Sequence, residues 1–521
     1  MKIKPKENIL KDFIKQAAKL EIKSEEELHK LKKRFAKEHQ MQLPKNLDLQ
    51  KAYKSLLEDG FAANPPLQQL MRKRKIRTLS GVSIVTVLTK PFACPGKCIF
   101  CPSEPGMPKS YLSNEPGAMR AVLDDFDPKA QVLTRIDSLK RQGHETDKIE
   151  MIVLGGTFSF YDKKYQEEFI LELFNACNGE DSKTLEEAQK KNESAEHRVI
   201  GLSLETRSDH ITKEEVIHMR RLGCTKVQIG IQHTDNKILA LNKRGETRKD
   251  HKKALKLLKD AGIKVAIHLM PNLAGSTPEK DVEMFKEVFD NPDYKPDQIK
   301  IYPCVVTPYS ELEKWWEEGK YKSYSDETLM KIILEMKKYT PEYVRIERLY
   351  RDIPGESILE GSKKTNMRQL LQNQSICKCI RCREIKGESY DPDATELRVQ
   401  EFDSSEGKEF FLSYNDAKNN RLCSLLRLRF PAKTFIPELE NTALIRELHT
   451  YGQQVKIGKK SSKAQHSGLG QKILRAGEEI AKKAGYTKIA VIAGVGVRNY
   501  YRKWGYELEG TYMVKNLDIS S

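Results

Sequence analysis

Between Val82 and Leu349 short β-branched, apolar runs alternate with longer stretches in which apolar residues recur every three or four positions. The runs are Val82–Leu88, Ile149–Leu154, Val199–Glu205, Lys226–Ile231, Lys264–Met270, Gln298–Tyr302 and Val344–Leu349; amphipathic stretches such as Asp250–Ala261 and Lys280–Phe289 separate most of them. Strand alternating with helix predicts a parallel sheet with helices outside it. About six or seven such units predict a full or partial (β/α) barrel, with its chemistry at the C-terminal ends of the strands. Ahead of this rhythm Ile9, Phe13, Ile14, Ala17 and Leu20 recur at helical spacing, and Asn64-Pro65-Pro66 marks a break. Residues 369–400 interrupt the rhythm, and from about Glu409 a second α/β pattern runs to the end. The chain is therefore read as α/β multidomain: a helical region over 1–78, a barrel over 79–365, a linker over 366–405 and a second α/β domain over 406–521, without internal repeats.

Charge adds a partner to this picture. The chain of 521 residues carries a formal net charge of +17. Residues 1–78 hold 20 Lys and Arg against 10 Asp and Glu, and end in Arg72-Lys73-Arg74-Lys75-Ile76-Arg77. Such an extension suits a polyanion, most simply nucleic acid, or else is a solvated helical face. No apolar run approaches the roughly 18 residues that span a bilayer, and the N-terminus lacks a signal-peptide core, so a soluble cytoplasmic protein is expected. Ten cysteines, six of them in two tight clusters, fit metal ligation in a reducing compartment better than disulfides.

The first cluster is Cys94-Pro-Gly-Lys-Cys98-Ile-Phe-Cys101, spaced Cys-x3-Cys-x2-Cys. Three thiolates hold three irons of a 4Fe-4S cluster and leave the fourth open. A zinc knot or structural thiols are the other readings, but a closed zinc site wants a fourth ligand and no further Cys or His lies nearby. The motif resembles that of the radical S-adenosylmethionine (radical SAM) enzymes. The resemblance implies that SAM binds the open iron, and that its cleavage yields a 5′-deoxyadenosyl radical. Gly155-Gly156-Thr157 follows the run Ile149–Leu154, where adjacent glycines let backbone approach a ligand. Radical SAM enzymes often carry Gly-Gly-Glu there, against the methionine end of SAM; here Thr157 replaces the glutamate. Glu205 is the candidate for the SAM ribose or ammonium, with Arg207 to steady it or meet the carboxylate. Gly230 and Gln232 are weaker candidates for the adenosine side.

In the C-terminal domain Gln465-His466-Ser467-Gly468-Leu469-Gly470 opens an amphipathic helix, Leu469–Lys483. Backbone N–H groups at such a helix start attract an anion. Strand Leu444–Tyr451 precedes it, strand Ile489–Ile492 follows, and then comes a short helix, Val497–Trp504, with Asn499-Tyr500-Tyr501. That order resembles the GNAT acetyltransferases, whose loop holds the pyrophosphate of acetyl-CoA. A second cluster, Cys377-x-Cys379-x2-Cys382, suggests structural zinc or else free thiols, with Cys304 as candidate fourth ligand. Cys177, Cys224 and Cys423 lie in apolar surroundings and are expected in the core.

A radical SAM motif and a GNAT motif in one chain, together with Glu115-Pro116-Gly117-Ala118-Met119-Arg120, Gly155-Gly156-Thr157-Phe158, Glu205-Thr206-Arg207, Arg446-Glu447-Leu448-His449 and Arg498-Asn499-Tyr500-Tyr501-Arg502-Lys503, resemble one family over about residues 77–517. It is the catalytic subunit of Elongator, in its stand-alone archaeal or bacterial form. Eukaryotic members space the first two cluster cysteines more widely and lack the second cluster. The resemblance implies carboxymethylation of carbon 5 of the wobble uridine in the tRNA anticodon stem-loop, with acetyl-CoA as carbon source and a protein electron donor. It implies acetyl-CoA contacts at Glu447, Leu448, His449, Thr450, Gly468, Leu469, Gly470, Gln471, Tyr500 and Tyr501, and Lys148 reaching acetyl-CoA from the barrel side. Lys148 and Tyr501 are the implied catalytic residues. The alternatives are a protein lysine acetyltransferase that uses the GNAT domain alone, and an RNA-binding scaffold with both sites degenerate.

Overall fold

The computed structural model describes residues 6–71, 81–364, 366–371, 377–386, 390–452 and 468–517. The basic run 72–77 and the motif residues 465–467 lie outside them. Four helices open the chain, α1 Lys6–Lys19, α2 Glu25–Glu38, α3 Asn46–Glu58 and α4 Pro65–Leu70. They enclose a core of their own around Phe13, Ile14, Phe35, Leu49, Tyr53 and Met71. Ser24 and Glu27 cap α2 reciprocally. The expected break at Asn64-Pro65-Pro66 is a helix start: Asn64 Oδ1 accepts the Leu67 N–H, and Pro65 opens α4. Leu20, placed by periodicity on the buried face, falls just beyond α1 and is 51% exposed.

Seven parallel strands then form one sheet in sequential order, β1 Ser83–Leu88, β2 Lys148–Leu154, β3 Arg198–Thr206, β4 Lys226–Gln232, β5 Lys264–Leu269, β6 Gln298–Ile301 and β7 Arg345–Arg348. β1 and β7 are not paired to each other, so the barrel is open along that edge. Side chains alternate along the strands, apart from register shifts in the β2–β3, β4–β5 and β6–β7 pairings. Val85, Met151, Leu204, Val227, Ile267, Ile299 and Ile346 point outward into the main core beneath the helices. Their neighbours on each strand point into the lumen and are largely polar, unlike the apolar fill of a closed barrel. The covering helices are amphipathic and capped by Thr212, Thr277 and Ser325.

The second sheet is mixed, in order β13-β14-β12-β11-β10-β9-β8. Its strands are β8 Thr395–Ser404, β9 Gly407–Asp416, β10 Arg421–Phe430, β11 Ala443–Thr450, β12 Lys488–Val491, β13 Glu507–Glu509 and β14 Tyr512–Asn516. Strand β8, in residues read from sequence as linker, is already its edge. Its single parallel pair, β11 with β12, ends at Ile445 opposite Val491, so the last residues of β11 splay away, and helix Leu469–Lys483 packs on the sheet. This is a GNAT-type sheet following a partial radical SAM barrel, with helices at the N-terminus. No helix among the described residues is long and apolar enough to cross a membrane.

The second domain closes the N-terminal end of the barrel. Arg446 Nη2 lies 2.6 Å from Asp297 Oδ2, just before β6, and Arg446 Nη1 lies 3.0 Å from Glu409. Arg429 pairs with Asp260 at 2.5 Å, and Tyr512 Oη donates to Ala261 O. Gly494 and Gly496 sit on the first turn of β3: a Cβ there would fall 2.0 Å from Ile200 O and 2.5 Å from Arg198 Cβ, so only glycine allows this approach.

Candidate functional site

The first cysteine loop leaves β1 at the C-terminal end of the sheet, where barrel chemistry is expected. Cys98 is buried and Cys94 and Cys101 are half-buried. The neighbouring Cys101 thiol, together with Arg244 and Arg207, brings the Cys98 thiol down to about 5 against the opposing effect of burial. Arg244 Nη1 donates to Cys98 Sγ at 3.3 Å, and Arg207 Nη1 lies 4.0 Å from the same sulfur. Cys94 Sγ turns toward Thr157 Oγ1 at 3.6 Å. A ready thiolate, two further thiols on the same loop and two guanidiniums fit an anionic iron–sulfur cluster held by three ligands.

Around this loop the other residues singled out from sequence divide. Gly155 and Gly156 end β2 with φ of +136° and +92°. A Cβ on Gly155 would stand 1.8 Å from Thr89 Oγ1, so the two-glycine turn is required there. Glu205, next to the last residue of β3, faces the lumen, and Tyr111 Oη donates to it at 2.6 Å. Arg207 does not steady Glu205; it binds Asp209 at 2.8 Å and the carbonyl of Arg244. His268 Nδ1 is 3.9 Å from Glu205, and its Nε2 is buried without a partner, as is Gln232 Oε1. Burial, reinforced by Lys300, keeps His268 neutral. Arg244, Glu246 and Tyr111 were missed from sequence. Lys243-Arg244-Gly245-Glu246 is too ordinary a string to single out, and only the fold brings it over Cys98.

In the second domain Gly470, Leu448, Thr450 and Tyr500 converge. A Cβ on Gly470 would meet Tyr500 Oη at 3.1 Å, Thr450 Oγ1 at 3.4 Å and Leu448 Cδ2 at 3.9 Å. Gly468, at φ +79°, starts the helix carrying Leu469 and Gln471. Tyr501 is not at this surface: it is buried in the domain core, its ring edge-on to Tyr500. Glu447 and His449, alternating with Leu448 and Thr450, face the barrel side; His449 packs on Tyr451. Glu447 Oε1 lies 2.6 Å from Lys264 at the start of β5, and its Oε2 2.8 Å from Arg427. Burial opposes the charge on Glu447, but Lys264 and Arg427 outweigh it and hold the carboxyl far below its ordinary range. Lys148 starts β2, in register with Arg198, which lies under Gly496 just ahead of Tyr500. Burial lowers the Lys148 ammonium pKa.

The sulfurs of Cys377, Cys379 and Cys382 lie within 4.8 Å of one another. Tetrahedral zinc with ~2.3 Å bonds wants sulfurs about 3.8 Å apart, so three legs of such a site fit. Cys304 is not the fourth. It follows β6 at the opposite end of the barrel, packed with Cys98, Ile99 and Tyr321. Cys177, Cys224 and Cys423 are buried, as expected.

A half-barrel with a three-thiol loop on its first strand defines a class, and comparison agrees: the Radical SAM superfamily matches residues 90–288, and the Radical SAM C-terminal domain residues 296–375. The tRNA uridine(34) acetyltransferase of Methanocaldococcus jannaschii is 47% identical over 470 residues, 86% of this chain and 87% of that protein. Elongator complex protein 3 of Saccharomyces cerevisiae is 37% identical over 473 residues, 86% of this chain and 85% of that one. The solved structure of archaeal Methanocaldococcus infernus Elp3 with an N-terminal deletion has a TM-score of 0.75 at 41% identity, covering 84% of this chain and all of that one. The chain belongs to the family of the tRNA uridine(34) acetyltransferases and Elongator complex protein 3.

Proposed function

We propose that this protein modifies the wobble uridine of tRNA, placing a carboxymethyl group derived from acetyl-CoA on carbon 5 of the base. The reading rests on one observation: a single half-barrel has a three-cysteine loop at one end and the splayed strand of a GNAT-type sheet at the other. Cys94, Cys98 and Cys101 would hold the 4Fe-4S cluster, and Gly155, Gly156, Glu205 and Arg244 the SAM beside it. The cluster with SAM supplies a 5′-deoxyadenosyl radical, which can take a hydrogen atom from a methyl C–H that no side-chain base removes. Gly468, Leu469, Gly470 and Gln471 would cradle the pyrophosphate of acetyl-CoA, with Leu448, Thr450 and Tyr500 along its arm, while Lys148, with His449, faces the thioester. Tyr501, buried behind Tyr500, positions that ring. The basic N-terminal region would grip the tRNA, whose uridine must leave its stack. Zinc on Cys377, Cys379 and Cys382 would pin the segment between the domains, and an external protein would supply the electron.

Lysine acetylation by the second domain alone is the competing reading. Glu447 is the carboxylate nearest the splay, yet Lys264 and Arg427 hold it ionised and poorly basic. The same face is packed against the barrel, where a protein substrate has no approach. The test is anaerobic: cluster-loaded protein, reductant, SAM, methyl-labelled acetyl-CoA and unmodified tRNA, followed by mass analysis of the nucleosides. Labelled carboxymethyluridine, absent with Cys98→Ser, is the expected result. SAM cleavage without labelled uridine would overturn the substrate assignment, and lysine acetylation indifferent to Cys98→Ser would favour the competing reading.

A further inference from the structure

Of the phenylalanine, tyrosine and tryptophan rings among the described residues, four are exposed: Phe92, Phe160, Tyr309 and Tyr339. Three of the four lie around the first cysteine loop. Phe92 stands two residues before Cys94, and Phe160 three residues beyond Thr157, whose Oγ1 lies 3.6 Å from Cys94 Sγ. Tyr309 lines a cavity of about 350 Å³ together with Cys98 and Cys101. Single exposed rings need no explanation, but a group of them beside a reactive site does. Phe92 and Phe160 are neighbours, with ring centroids 6.0 Å apart and exposures of 44% and 39%. Both are held from within the protein. Phe92 stacks on Tyr161 at 4.7 Å, and Tyr161 on Tyr165 at 5.0 Å, with Lys90 Nζ 4.6 Å from the centre of the Tyr165 ring. Tyr161 is buried, and its hydroxyl is tied to Lys90 O at 2.7 Å and to Thr89 Oγ1 at 2.8 Å, so the stack is fixed before anything binds. Phe160 rests edge-on against His210 at 5.7 Å.

We infer that Phe92 and Phe160 form a stacking platform for unpaired bases of the anticodon loop, those that flank the uridine. The inference rests on the proposed tRNA substrate and names the residues that hold its loop at the C-terminal mouth of the barrel. Charge and composition decide the kind of partner. Residues 89–103 carry Lys90 and Lys97, both exposed, and no carboxylate. Just beyond Phe160, Asp162 is engaged in capping the next helix, where it accepts the Lys164 N–H at 2.9 Å. Neither residues 89–103 nor residues 157–165 expose a Leu, Ile, Val or Met, side chains that the apolar centre of a protein–protein interface would use. Flat π faces with lysines alongside fit bases and phosphates instead: stacking tolerates any base, and the lysines answer the backbone charge. A uridine turned out of its stack also leaves its neighbours with a bare face, which a fixed aromatic ring covers.

The test uses the full chain, kept cluster-loaded under anaerobic conditions, and an anticodon stem-loop RNA with 2-aminopurine in place of the base next to the uridine. Stacking on a ring quenches this fluorophore, so the parent protein should quench it on binding. Phe92→Leu with Phe160→Leu keeps apolar side chains but removes both π faces. It should abolish the quench and weaken stem-loop binding by about tenfold, with the melting temperature unchanged. Phe92→Tyr with Phe160→Tyr should restore both readouts, and Phe160→Leu alone carries the test should the double variant fold poorly. Equal quench and affinity in the parent and the leucine variant would overturn the platform while leaving the proposed function standing. A smaller sedimentation coefficient of the RNA-free leucine variant would overturn it as well, because the rings would then join two copies of the chain. Failure of the parent to bind the stem-loop would remove the tRNA reading and the platform together.

Discussion

At the C-terminal end of the half-barrel Arg207 and Arg244 crowd the Cys98 thiol, and His268 Nε2 and Gln232 Oε1 are buried without partners. At the N-terminal end Asp297, Glu409, Arg427, Arg429 and Arg446 are as deeply buried, yet each guanidinium there meets a carboxylate across or beside the domain boundary. Five of the seven strands start with Lys or Arg, namely Lys148, Arg198, Lys226, Lys264 and Arg345. Carboxylates Glu447 and Glu384 lie against Lys264 and Arg345. Arg207 and Arg244 also meet carboxylates, Asp209 and Glu246, but those pairs lie within the barrel, whereas the pairs at the other end join two domains. A buried polar group without a partner is costly, so its persistence points to a ligand, whereas paired charges at an interface lock geometry.

The sharpest way to break this contrast is Cys98→Ser. Iron binding and all 5′-deoxyadenosine formation should be lost, with the melting temperature of the metal-free protein unchanged. Iron retained at the parent level would mean that the three-thiol loop does not hold the cluster. Next in size is Arg446→Met. It leaves Asp297 and Glu409 without their shared partner in a dry interface, at a cost of about 3–5 kcal/mol. Calorimetry should show the second domain melting earlier and separately; a single, unshifted transition would show that the seam does not couple the domains.

Acid probes the same seam more gently. Burial pushes the Asp297 carboxyl up, but Arg446 and Arg427 outweigh it and hold it at about 2; Lys226 and Lys300 likewise hold Glu347 at about 2. Both folded values lie below the unfolded ones, so this stability is fully present above about pH 4 and is lost as pH falls toward 2, on the order of 2 kcal/mol for each group. Urea melts between pH 5 and 2 in about half-unit steps should show the slope, and Asp297→Asn should flatten it. An unchanged slope in that variant would place the acid sensitivity elsewhere. The smallest effect is expected from Gly470→Ala. Its methyl would press on Tyr500 and Thr450, weakening acetyl-CoA binding by about fivefold, or roughly 1 kcal/mol, with little change in stability. Titration calorimetry on the two proteins decides, and equal affinities would move the thioester arm away from Gly470.

Much of the fold was legible because its signals are local. The run Lys226–Ile231 and the structure's Lys226–Gln232 differ by one residue, and helix Leu469–Lys483 agrees at both ends, because β-branched clusters and helical periodicity act over a few residues. Strand β8 was missed because Leu397 and Val399 point outward on an exposed edge strand, so its side chains give no buried alternation. The second cysteine group was legible from spacing alone, while its extension to Cys304 was not: a thiol 73 positions before Cys377 can be placed only by the path of the chain.

By itself the sequence determined the chemistry on offer: three thiols at Cys-x3-Cys-x2-Cys, a glycine-led helix at Gly468, and seven strands ready to pair in order. Tertiary structure decided where these meet. Arg244 reaches Cys98 across 146 positions and Arg446 reaches Asp297 across 149. No local pattern announces such pairs, because an arginine looks the same in sequence whether its partner is solvent, a cluster thiol or another domain. Only the packing of the second domain under the barrel, dictated by shape at Gly494 and Gly496 and by buried charge at Asp297, put the two sites at opposite ends of one polar lumen.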